Sequence, residues 1–162
     1  MEPVGRGELK ILEKTDDYAI VGCGRVVLLV WRTHSTARGI ERVDTQLRRW
    51  AAVRPGGVVL MPVVAVQPAR PPDDQVRAAM RRVLQAPAPE LVGLGTIHPG
   101  TGFVAAFVRA LVSGLQRLHP GAIPMRVFPS PVEAAGWAAD LLDDPGITPE
   151  ALARAIRAGR ES

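Results

Sequence analysis

Three histidines, His34, His98 and His119, and a few hydroxyl residues beside apolar runs carry the side chains of this sequence best suited to chemistry. His34 and His98 each follow an apolar run and can converge, which would begin a metal site, but the pattern supplies no evident third ligand. His119 ends a helical stretch, where an imidazole suits the dipole. Ser35, His98 and Asp73 are the residue types of a hydrolytic triad, yet the Gly-x-Ser-x-Gly nucleophile elbow is missing. The segment His98-Pro99-Gly100-Thr101-Gly102 is the most suggestive. Two glycines ahead of a helix let backbone N–H groups close on an anion, and Thr101 adds a hydroxyl donor. No Gly-Lys-Ser/Thr follows, and Gly-x-Gly alone falls short of a dinucleotide fingerprint, so plain turn chemistry stays open beside a polar-ligand site. Catalytic residues, metal ligands and cofactors are not expected. Ligand contacts are expected at His34, Gln67, His98, Gly100, Thr101, Gly102 and Ser130.

Those residues need elements to hold them. Glu8 to Glu13 alternates weakly, as an edge strand does, and Thr15-Asp16-Asp17 reads as a turn. Tyr18 to Cys23 and Arg25 to Trp31 read as a hairpin around Gly22 to Gly24. The continuous apolar run Val26 to Trp31 predicts a strand covered on both faces. Ser35 or Thr36 caps a helix to about Val53, with Ile40, Val43, Leu47, Trp50 and Ala51 on one side. Arg38, Arg42 and Arg49 fall on the other side, as a solvated ridge or a patch for an acidic partner. Val58 to Val66 is an apolar strand, and Asp73 and Asp74 open a helix to about Gln85. Leu91 to Ile97 is a further strand, followed by a helix over Thr101 to Leu118.

That helix is apolar over about half its circumference, wider than the roughly 100° stripe a surface helix needs. Its broad face is core or, alternatively, a partner or dimer surface, with Phe103, Phe107, Arg109 and Leu111 as contacts. Met125 to Phe128 is a short strand. Ser130-Pro131-Val132-Glu133 then opens a helix to about Leu142, and Thr148-Pro149-Glu150 starts a final one to Ala158. The fold class is α/β: a mixed, largely parallel sheet of about five strands with an N-terminal antiparallel hairpin, crossover helices and an extra C-terminal helix. The organisation is one domain over residues 1–144 with residues 145–162 appended. Ligands of such sheets bind beyond the carboxyl ends of the strands, the rim to which His34, Gln67, His98 and Ser130 belong.

At 162 residues, 47% hydrophobic and 22% charged, the composition is that of one ordered globular domain. The net charge of +4 and a pI near 10.2 invite a nucleic-acid reading. The basic residues are scattered, mostly Arg and nearly balanced by carboxylates. Aromatics make up 4% and do not interleave with them, so nucleic acid is not expected. One cysteine, Cys23, excludes a disulfide within the chain and a cysteine-based zinc site, and reads as a small apolar filler near a strand end. Met1 to Lys14 lacks a signal-like apolar run, and no stretch reaches the ~18 apolar residues of a membrane span. The expected location is the cytoplasm.

From Arg25 onward the order resembles the SpoIIAA-like, or STAS-like, fold, and within it the bacterial STAS/SEC14-like branch. Arg126-Val127-Phe128-Pro129-Ser130-Pro131-Val132-Glu133-Ala134-Ala135-Gly136-Trp137 carries most of the likeness. Gly100-Thr101-Gly102-Phe103, with Arg109 two turns on, is similar to members from myxobacteria-type genomes. The likeness spans residues 18 to 142. It implies a regulator or binding module. Anti-sigma antagonists of this fold are switched by phosphorylation in the loop that here reads Val66-Gln67-Pro68-Ala69-Arg70-Pro71-Pro72-Asp73-Asp74. That loop has no hydroxyl residue, so the switch does not carry over. The expectation is a non-catalytic regulatory or scaffold module that binds a protein, itself included. A small-molecule or lipid-binding domain using the strand rim is the alternative, and an enzyme built on His98 and Thr101 ranks third.

Overall fold

A computed structural model describes residues 8–64, 72–98, 113 and 123–161. Six strands form one sheet: β1 (Leu9–Lys14), β2 (Tyr18–Cys23), β3 (Val26–Trp31), β4 (Val58–Val63), β5 (Leu91–Ile97) and β6 (Met125–Phe128). They lie side by side in chain order. The first three pair antiparallel and the last four parallel, which is the mixed sheet the apolar runs predict. The weakly alternating segment at the N-terminus is a full member at the edge, which brings the strand number to six. The hairpin turn falls at Gly24-Arg25, one residue later than its glycines suggest, with Gly24 at φ 57°.

Four helices are described: α1 (Ala37–Ala51), α2 (Asp74–Gln85), α3 (Pro131–Leu142) and α4 (Pro149–Arg160). Their starts follow the local chemistry. The Thr36 side chain accepts from the Gly39 N–H, Asp73 from Val76 and Thr148 from Ala151. Ser130 holds the cap position of α3, but its hydroxyl makes no capping bond; Pro131 at the first helical position sets the start instead. The final helix runs two residues past Ala158. The helix expected over Thr101 to Leu118 lies outside the described residues, apart from Ser113, which is helical.

The two sheet faces carry separate cores. On one, α1 and α2 cover Val27, Leu29, Trp31, Val58 and Leu60, with Ile40, Val43, Leu47, Trp50 and Ala51 inward as their spacing predicts. On the other, α3 and α4 cover Val21, Leu28, Val30, Val59 and Met61. The run from Val26 to Trp31 is thereby buried on both sides. Cys23 belongs to the second core; its thiol is buried, and burial pushes its pKa up. The α4 helix packs on β2, β3 and α3 of its own chain. Among the described residues no helix is long and apolar enough to cross a membrane.

Candidate functional site

The C-terminal ends of the parallel strands form the rim where a ligand is expected. His34 stands exposed in the loop after β3. His98 directly follows β5 and is buried, and its backbone N–H donates to the Phe128 carbonyl at 2.9 Å. That bond ties the end of β5 to the end of β6. Ser130 sits half-buried at the head of α3. Gln67, Gly100, Thr101 and Gly102, and the expected partner contacts Phe103, Phe107, Arg109 and Leu111, lie outside the described residues. Among the described residues, no group of three His, Cys, Asp or Glu side chains could hold a metal ion. Asp73, a member of the conceivable triad, is occupied as the cap of α2, accepting from Val76 N at 2.9 Å.

The arginine ridge of α1 is not a uniform solvated face. Arg38 and Arg49 are exposed, but Arg42 folds back onto Glu13 of β1 through Nε at 2.9 Å and Nη2 at 2.7 Å. The Tyr18 hydroxyl donates to the other Glu13 oxygen at 2.5 Å. Arg42 holds the Glu13 carboxyl below the usual range. Burial first, and then the bond to Glu13, pushes the Tyr18 phenol up to about 12. This cluster fastens the edge strand to α1 and is structural in geometry. The sequence pattern cannot pair Glu13 with Arg42, because the contact depends on β1 lying beside α1.

Under the rim, between the sheet and the α1/α2 layer, lies a cavity of about 150 Å³. Its floor is Leu29 and Trp31 of β3, Leu60 and Pro62 of β4, Leu94 and Thr96 of β5 and Met125 of β6. Ile40 and Val43 of α1 and Met80, Val83 and Leu84 of α2 make its roof. Ser35, Val64 and Pro72 contribute from loops at the strand ends. Among the described residues that line it, Ser35 and Thr96 carry the polar side chains and none is charged. An engineered apolar void of about this size in another protein stays dry and takes up benzene, so a volume of this order is enough for a small apolar molecule.

Sequence reasoning placed a ligand site at this rim and in an apolar groove beneath it, but did not name the residues that line the cavity. Pro62 was the available signal. A proline inside a strand flanked on both sides removes a ladder N–H. The β4–β5 pairing runs through Leu60↔Leu94 and resumes at Val63↔Ile97, skipping the two positions between. The skipped register sets Pro62 against Thr96, and both line the cavity.

No family model matches the chain, and neither a curated protein nor a solved structure does.

Proposed function

We propose that this chain is a non-catalytic binding domain whose ligand is a small apolar molecule held between the sheet and the α1/α2 layer. The cavity of about 150 Å³ at the strand rim, with no charged side chain among the described residues that line it, carries this reading. It falls where open α/β sheets take their ligands, and the SpoIIAA-like resemblance implies a binding role as well. A reducing, cytoplasmic setting suits the single buried thiol of Cys23.

Benzene is the simplest probe. Titrated into the ¹⁵N-labelled protein, it should shift the amides of Leu60, Val83 and Leu94 saturably. A dissociation constant of about 1 mM needs only ~0.7 kcal/mol for each of roughly six heavy atoms, well within what tiny ligands reach. Leu84→Trp, which places an indole into the void, should abolish the shifts while leaving the fold intact. Linear, unsaturable shifts in the native protein would refute the reading.

A further inference from the structure

We infer that the groove between α3 and α4 binds the carboxylate of a small, otherwise apolar molecule through Arg157 and Arg160. These helices cover the opposite face of the sheet from the cavity proposed above, so the two readings stand or fall separately. The groove has a volume of about 360 Å³. Pro131 of α3 forms one wall, Ala153, Ile156, Arg157 and Arg160 of α4 form the other, and Glu161 closes its end. Ile156 is 6% exposed, and Pro131 and Ala153 are half-buried, so the floor is apolar. Arg157 and Arg160 are exposed and stand about one turn apart, where helical side chains are neighbours. On α1 and α2, Arg42, Arg48, Arg77 and Arg82 each meet a carboxylate. None of the five ion pairs found among the described residues includes Arg157 or Arg160, although Glu161 lines the same groove.

Like charges at this spacing repel. Both sit in the last turn of α4, where the helix dipole offsets part of the repulsion. A carboxylate offsets more, because each guanidinium presents its N–H donors as a fork that matches two carboxylate oxygens. The lining then restricts the ligand. Two guanidiniums against the single carboxyl of Glu161 leave one positive charge in excess, which balances a carboxylate and leaves a phosphate dianion over-charged. Pro131, Ala153 and Ile156 offer no polar side chain, so the part of the ligand resting on them is apolar. The volume lies at the small end of ligand clefts, which start at roughly 300 Å³, and fits a small molecule better than a peptide segment. The chemical class is thus a small aromatic or aliphatic carboxylic acid.

Benzoate and benzamide match in shape and differ in charge. Each is titrated into the ¹⁵N-labelled protein and followed at the amides of Ala153, Ile156 and Arg157. Benzoate should shift these amides saturably, and benzamide should bind about 5-fold more weakly or worse. The double variant Arg157→Gln, Arg160→Gln changes exposed positions only. It should weaken benzoate about 5- to 10-fold, a range held down by solvent screening, and leave benzamide within about 2-fold. Acetate, which lacks the apolar body, should bind the native protein about 5-fold more weakly than benzoate. Equal affinities for benzoate and benzamide, a double variant that binds benzoate as the native protein does, or inorganic phosphate binding more tightly than benzoate would each overturn the inference. Saturable benzoate shifts confined to Leu60, Val83 and Leu94 would also overturn it, while leaving the cavity reading in place.

Discussion

The two faces of the sheet are packed by different means. On the α3/α4 face, Ala134, Ala135, Ala138 and Ala155 are fully buried and let the helices close tightly on the strands. Glycines bring them closer. A Cβ at Gly159 would sit 2.9 Å from Val30 Cγ2, and one at Gly95 would sit 2.9 Å from the Trp137 ring. On the α1/α2 face, large irregular side chains meet a sheet whose pairing lapses beside Pro62, and a cavity remains. The ion pairs follow the same division. All five found among the described residues involve α1, α2 or the turn after α1. Small residues let the helices of one layer close directly on the strands. Large ones, fastened at their margins by ion pairs, leave a cavity in the other.

Equal truncations on the two faces give the largest contrast. Leu152 of α4 is 1% exposed in the close-packed layer, so Leu152→Ala should cost about 3 kcal/mol in urea denaturation. Leu84 of α2 is half-buried and already borders a void. Leu84→Ala should cost about 1 kcal/mol, because fewer contacts are lost. Equal costs would remove the distinction between the layers.

Additions of volume should show the reverse order with a smaller effect. Gly159→Val places a branched side chain against the Cβ of Val30, 3.1 Å away, where neither helix nor strand can yield. A loss of about 2 kcal/mol is expected, read again from the denaturation midpoint. Val83→Leu extends into the cavity and should fall within about 0.5 kcal/mol of the native protein. A similar penalty for both would mean that the cavity walls are as rigid as the α3/α4 contacts.

The element pattern was open to sequence reasoning because the apolar periods and caps are local. Val26 to Trp31, Leu91 to Ile97, Met125 to Phe128 and the α3 span come out with the expected boundaries or within a residue of them. The strand after α1 ends at Val63, short of Val66, since its apolar run continues past the last paired residue. Ser130 was placed at the right position, but composition cannot tell whether a hydroxyl turns to its backbone. The site was less accessible. A void is the difference between large volumes contributed by α1, α2 and four strands, and no single stretch of residues encodes it. Thr96 looked like an ordinary strand residue until the register set it opposite Pro62 on the cavity wall. The Arg42–Glu13 pair is likewise a product of tertiary placement, joining residues that no helical or strand period relates.

The charge-fastened margin sharpens the comparison through pH, with the smallest expected effect. Glu13 has a pKa lowered from 4.5 in the native state, chiefly by its bond to Arg42, so the unfolded chain binds more protons at acid pH. The stability it contributes is present above about 4.5 and is lost as pH falls through the lower native value. Tyr18 acts with the opposite sign. Its native pKa of about 12 lies above the ordinary 10, so its contribution holds below pH 10 and fades as pH rises toward 12. Solvent screening at Arg42, whose side chain is 37% exposed, keeps the Glu13 share to about 1 kcal/mol or less. Glu13→Gln keeps the shape and removes the titration. Between pH 6 and pH 3 the native protein should therefore lose more stability than this variant, by that amount. Amide exchange should show the loss at β1 and α1 while β5 and α3, whose layer holds none of the five ion pairs, keep their protection. Parallel acid curves for the two proteins would show that the α1/α2 layer is held by packing alone, and the contrast with the opposite face would then rest on the cavity.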